Sequence, residues 1–364
     1  MKIGYFCNST NWDNKEYSQI LDETREISSY CDKNNWDSIW FTEHHFSHEG
    51  MEICPNPILM SADIAARTKK IRIGQAATII TFWNPIRIAE DIALLDNLSN
   101  GRVEAGIGRG IYGREALNMN PDADMKDQAK NFRLFEETIT ILKKAWSQKF
   151  FNHSGEFYKY PAPNFEWQHD MSPPNEEFMN TDTNILEKIS IVPRPIQKPH
   201  PPLWQVVDSP SSIEWAAENG INVIMWIPTV QSLKKRFKIY QNKKSEIEKR
   251  NVDLGEGICL VRDMFIADSM EEAKEKAGEQ MVNYMRWVCH WRGLGTHMNP
   301  GEELPKTKNK LDLLSYEFLH ERNMLFGTVD YVIDKIEELQ NELNLQNLQV
   351  WSNFPGVKHK DCMK

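Results

Sequence analysis

Short apolar runs alternate with longer amphipathic ones eight times along this chain, and that rhythm limits the folds open to it more than any other feature. Lys2–Cys7, Asp37–Glu43, Ile71–Ile80 and Arg102–Ile107 read as the first four strands, and Leu203–Val207, Ile221–Ile227, Gly257–Ala267 and Leu348–Phe354 as the last four. Segments with helical spacing lie between them; in Asn131–Gln148, Phe135, Ile139, Leu142 and Trp146 share one face. Strands separated by helices pair in parallel, because the crossover returns each strand in the same direction. Eight such units predict an α/β chain closed as a (β/α)8 TIM barrel, with an open doubly wound sheet as the alternative. Residues 1–364 fit one barrel domain with two insertions, at about 149–202 after strand four and at about 289–326 after strand seven. Ten residues follow Phe354. The last helix is therefore truncated, and the bottom of the barrel is expected to be open there unless a partner covers it.

Charge narrows the range of partners. Lys and Arg number 43 against 52 Asp and Glu, a net charge of −9. That balance argues against binding nucleic acid or an anionic membrane. No stretch of 18 apolar residues occurs to span a bilayer. The opening Met-Lys-Ile-Gly-Tyr-Phe-Cys-Asn lacks the apolar run of a signal peptide. Cys7, Cys31, Cys54, Cys259, Cys289 and Cys362 lie far apart and form no C-x-x-C pair. A cytoplasmic protein with reduced thiols is expected, without a disulfide framework or a zinc site.

In a barrel, chemistry belongs to the carboxyl ends of the strands. Strand two ends in Glu43-His44-His45-Phe46. Neighbouring strand residues point to opposite sides, so one histidine faces the barrel and the other faces away. No further ligand stands at metal spacing, and no metal is expected. A histidine at the mouth is either a general acid or base or a structural, hydrogen-bonded ring. Strand four runs into Gly106-Ile107-Gly108-Arg109-Gly110, which lacks the spacing of a dinucleotide fingerprint. The glycines flanking Arg109 are expected to let the backbone approach a ligand. Strand five ends in Asp208-Ser209-Pro210-Ser211-Ser212 at a helix start. These side chains either cap the helix or, with its free N–H groups, form a phosphate site. A guanidinium at one strand end and hydroxyls at the next would clamp a phosphate from two sides. Phe6, Trp83, Trp226 and Trp351 near strand ends suggest an aromatic-lined pocket, with core filling preferred for Trp226.

In their order and spacing these segments resemble the bacterial luciferase family of flavin-dependent monooxygenases. The likeness runs from Met1 to about Asn353, with gaps at the two insertions. Its most specific pieces are Trp40-Phe41-Thr42-Glu43-His44-His45-Phe46 and the run from Asn84-Pro85-Ile86-Arg87 to Leu94-Leu95-Asp96, followed by Asn97-Leu98-Ser99-Asn100-Gly101-Arg102. Gly106–Gly110, Asp208–Ala217 and the proline-rich run Val192–Pro202 add to it.

The resemblance implies an enzyme that takes reduced FMN from a separate flavin reductase. It implies activation of O2 as a flavin C4a-(hydro)peroxide, oxygenation of a small organic substrate, and a homodimer. It implies that His44 is the catalytic acid or base and that Arg109, Ser209 and Ser212 hold the FMN phosphate. Asp208 falls where luciferase has a glutamate. Ala76-Ala77 matches a non-proline cis peptide beneath the isoalloxazine ring, and Glu43 a neighbour of that ring. The alternatives are a deazaflavin-dependent oxidoreductase of the same fold and a non-catalytic flavin-binding subunit; retention of His44 argues against the second. Two positions depart from the pattern. Gly108 replaces a reactive cysteine, and Phe132 replaces a second phosphate arginine, with Lys130 and Arg133 nearby as substitutes. His290, Trp291 and Arg292 open the second insertion, which is either a lid or a surface excursion.

Overall fold

A computed structural model describes residues 1–304 and 310–364. The eight signals become eight parallel strands: β1 (Lys2–Cys7), β2 (Ser38–Phe41), β3 (Arg72–Gln75), β4 (Val103–Gly108), β5 (Leu203–Val206), β6 (Asn222–Met225), β7 (Ile258–Ile266) and β8 (Asn347–Trp351). Each pairs with the next, and β8 pairs back onto β1 with Lys2 opposite Asn347. The sheet closes into the (β/α)8 barrel, and the open-sheet alternative falls.

The period of two along each strand sorts its side chains into two layers. Ile39 and Phe41, Ile73, Val103 and Ile107, Val223 and Met225 point outward into the cluster shared with the helices. Phe6, Trp40, Trp204, Ile224, Val261 and Trp351 point into the barrel. Trp40 fills the interior so fully that a Cβ on Gly74 would lie 2.2 Å from its ring. Nearby, a Cβ on Gly106 would lie 1.6 Å from the Gln75 carbonyl oxygen. Below Trp40 an Arg72–Glu104 ion pair, with Trp204 donating to Glu104 at 2.7 Å, plugs the amino end.

The eight longest helices are α1 (Tyr17–Lys33), α2 (Pro57–Arg67), α3 (Pro85–Leu98), α4 (Gln128–Ser147), α5 (Pro210–Glu218), α6 (Val230–Glu248), α7 (Glu279–Arg292) and α8 (Val329–Leu343). Asn56 and Asn84 cap α2 and α3, each with proline at the helix start. Helix α7 continues from Met270–Ala273 through a π-turn at Lys274–Gly278. Its buried Met281, Tyr284, Met285 and Val288 join the barrel-interior cluster, not the outer one. It therefore lies over the mouth, and α8, leading straight into β8, takes the seventh flank position. The excursion after β7 thus includes α7 itself; residues 305–309 of the expected insertion lie outside the described residues.

The excursion after β4 carries two short hairpins, His153–Ser154 with Lys159–Tyr160 and Met179–Asn180 with Ile185–Leu186. Beyond β8 a single helical turn, His359–Met363, stands where an eighth helix would pack. The gap opens on the flank of the barrel and not at its bottom, because barrel helices cover the outside of the strands. It is a cavity of about 280 Å3 lined by outward-facing Tyr5 with Ile27, Trp36, Met264 and Cys362. No described helix is long and apolar enough to cross a membrane.

Candidate active site

The side chains singled out from sequence meet at the carboxyl ends of the strands. Glu43, His44, Ala76 and Ala77 follow β2 and β3, and Arg109 follows β4. Asp208, Ser209 and Ser212 span the end of β5 and the first turn of α5. All eight line one cavity of about 260 Å3. A smaller chamber of about 60 Å3 lies beside it, walled by Phe6, Thr42, Ile224, Trp226 and Val261. Both spaces are bordered by His44, Ala76, Asp208 and Arg292.

His44 keeps the inward parity of Ser38, Trp40 and Thr42, which carries its ring toward the barrel axis. Its Nδ1 lies 3.3 Å from Glu115 Oε1 and 3.4 Å from Glu52 Oε2. Both carboxylates are buried. Burial works against a charged ring, but the two carboxylates outweigh it and hold His44 above the ordinary imidazole value. Nε2 has no hydrogen-bond partner among the described residues and is not sealed from the cavity. Glu52 is fixed in turn by Tyr284, whose hydroxyl donates at 2.7 Å, and by Asn8 at 3.3 Å. His45, of opposite parity, turns to Glu43 at 3.0 Å.

Glu43 is committed to holding the loop after β3. It accepts from the Ile79 N–H and the Trp83 indole, each at 2.8 Å. Burial pushes its carboxyl up. That loop contains the Ala76–Ala77 peptide, which is cis.

Arg109 differs from the chain's other anchored arginines: among the described residues its guanidinium makes no hydrogen bond or ion pair. It stands 5.4 Å from the centre of the Phe132 ring, and burial pulls it below the usual guanidinium value. Its backbone is pinned through the carbonyl, which accepts from Thr81 and Asn131. The flanking glycines line the cavity and are also packed tightly against the protein. A Cβ on Gly108 would meet Ile79 at 3.0 Å and Ala77 at 3.1 Å, and one on Gly110 (φ +81°) would meet Phe82 at 3.0 Å. Lys130 and Arg133 pair with Asp122 and Glu156 and are not among the residues lining the cavity.

Ser209 caps α5: its Oγ accepts from the Ser212 N–H at 3.2 Å and lies 2.9 Å from the Ser212 hydroxyl. Capping and cavity lining coexist there. Asp208 lies 3.3 Å from Arg236 and 3.8 Å from Arg292.

Trp226 is a wall of the small chamber, against the core-filling preference from sequence. Arg262 holds its loop by donating to the carbonyls of Trp226 and Pro228, and Asp263 accepts its indole N–H at 3.0 Å. Trp351 is core. Glu52, Glu115 and Tyr284 escaped the sequence reading, and Arg292 appeared there only as the start of a lid. None of them lies at a strand end. Among the described residues no cluster of His, Cys, Asp and Glu is placed to hold a metal ion.

A closed parallel barrel with ionisable side chains converging at the carboxyl ends of its strands defines the class of (β/α)8 enzymes. Within that class the chain belongs to the luciferase-like monooxygenase family, whose model matches residues 1–174 and 175–343. It is 29% identical over 333 residues to the oxygenase component of the flavin-dependent trigonelline monooxygenase of Acinetobacter baylyi, covering 89% of this chain and 81% of that protein. The fold is shared with the oxygenating constituent of 3,6-diketocamphane monooxygenase from Pseudomonas putida, solved in complex with FMN (TM-score 0.76, 20% identity, 97% of this chain and 92% of that one). It is shared more distantly with an F420-dependent secondary alcohol dehydrogenase (TM-score 0.67, 15% identity, 98% and 94%).

Proposed function

We propose that this chain is the oxygenase of a two-component system, receiving reduced FMN from a partner flavin reductase and using O2 to oxygenate a small organic substrate. The observation that carries this reading is Arg109, a guanidinium with no hydrogen bond or ion pair among the described residues, facing the same cavity as a serine-capped helix start. A phosphate is the group that answers both. The relative named as a flavin-dependent oxygenase component and the FMN-bound structural neighbour support the choice of cofactor and of a reductase partner.

Reduced flavin, when bound, supplies the electrons for oxygen activation. The protein's own work is binding, orientation and proton control. Arg109, Ser209 and Ser212 would hold the phosphate, and the Ala76–Ala77 loop, held by Glu43, would border the flavin ring. Asp208 holds Arg236 and Arg292 at the cavity's edge. His44 exchanges a proton through Nε2, while Glu52 and Glu115 stabilise the proton on Nδ1. The apolar walls of the small chamber keep water from the reacting atoms. The protein works in the cytoplasm as a homodimer.

Anaerobic titration tests the cofactor directly. Reduced FMN is expected to bind and to consume O2 on mixing. Binding of a reduced deazaflavin in its place would transfer the chain to the hydride-handling branch of the fold.

A further inference from the structure

We infer that Arg292 anchors an acidic group on the substrate, and that this oxygenase acts on small carboxylates. The inference rests on the larger cavity being the flavin's, which leaves the small chamber for the substrate. Arg292 ends α7 and borders both spaces. Among the described residues none of its N–H groups has a hydrogen bond, and its Nε is sealed from solvent without a partner.

Its nearest carboxylate, Asp208, lies at 3.8 Å and is shared with Arg236 at 3.3 Å. Asp208 and Glu52 hold Arg292 charged, but among the described residues neither carboxylate accepts a hydrogen bond from its guanidinium, so its donors stay free. The fold does satisfy an arginine where structure alone is needed: Arg262, on the same side of the barrel, donates to three carbonyl oxygens. A forked donor left without partners at the edge of an enclosed space is matched by a carboxylate, which takes two parallel hydrogen bonds.

The shape of the chamber selects the rest of the molecule. Its volume of about 60 Å3 is small. The Phe6 and Trp226 rings stand 6.2 Å apart at 32°, and the Arg292 guanidinium lies 6.0 Å from Trp226. A compact molecule fits such walls, with its acid on Arg292.

The test uses the full chain under anaerobic conditions, with and without reduced FMN, and reads tryptophan fluorescence. Benzoate and nicotinate are titrated against the neutral benzamide and nicotinamide, and reduced-FMN affinity is measured separately. The acids are expected to bind about tenfold or more tighter than the amides. Arg292→Met abolishes that preference and leaves reduced-FMN affinity within about twofold, while Arg292→Lys keeps part of it. Equal binding of acids and amides by the wild-type chain overturns the inference, whether or not the variants fold. So does an Arg292→Met protein that loses reduced FMN instead of the acid, which would give this guanidinium to the flavin. Preference for acids in a chain that fails to bind reduced FMN would keep the anchor and sink the cofactor reading alone.

Discussion

Arg102 and Arg109 flank a single strand, β4, and the fold treats them in opposite ways. Arg102, at the amino end, donates to the carbonyls of Ser99, Ala65, Thr68 and Ile71 and to the Thr68 hydroxyl, at 2.7 to 3.1 Å. Arg109, at the carboxyl end, is held by its backbone while its guanidinium makes no hydrogen bond or ion pair among the described residues. The same contrast runs round the barrel. Glu104 is consumed by Arg72 and Trp204 below, while His44 and Arg292 keep donors free above. One end of a barrel strand is spent on stability and the other is held ready for a ligand.

The contrast breaks most visibly, if it breaks, at His44. His44→Ala should lower kcat of the folded protein by roughly 10²–10⁴-fold, beyond the loss of stability from leaving Glu52 and Glu115 without their partner; a variant that is destabilised but turns over normally when folded would make His44 structural. Arg102→Ala should do the reverse, costing roughly 3 kcal/mol of unfolding free energy in urea while the folded fraction keeps its affinity for reduced FMN. Arg109→Ala should weaken reduced FMN by about 2 kcal/mol, some thirtyfold, without moving the thermal midpoint. A stability loss matching that of Arg102→Ala would erase the difference between the two ends.

Acid–base behaviour sharpens the comparison. The folded His44 is raised, so its contribution to stability is complete below the ordinary imidazole value and fades as pH rises through the folded one. Glu115→Gln removes one of the two carboxylates responsible. The activity limb that belongs to His44 should move to lower pH by about one unit, whereas Glu104→Gln at the amino end should leave it in place. Ser209→Ala should have the smallest effect, about 1 kcal/mol of stability from the lost cap and a few-fold change in reduced-FMN affinity by titration.

How much of this was open to reading depended on local periodicity. Alternation along β2 is enough to turn His44 inward and His45 outward, and the strand-to-helix junction at Ser209 announces a cap. Both properties are set within a few residues. The carboxylates behind His44 are not of that kind. Glu52 meets Tyr284 across 232 positions, and nothing in either segment names the other. The amphipathic pattern of α7 reveals a buried face but not the layer that buries it. Arg292 could therefore be read only as the start of a lid or of a surface excursion. The run from Val192 to Pro202 stood out only as a piece of the family likeness. Its work appears only in three dimensions, where Gln197 is bound at Asp96 and Arg194 reaches the Trp146 carbonyl.

The missing methyl at Gly106 has a reach beyond its own strand. It allows β3 and β4 to lie so close that the loop ending one and the backbone of Arg109 ending the other share a single rigid footing. A methyl group there would push the two strand ends apart, and the cavity they border would change shape with them.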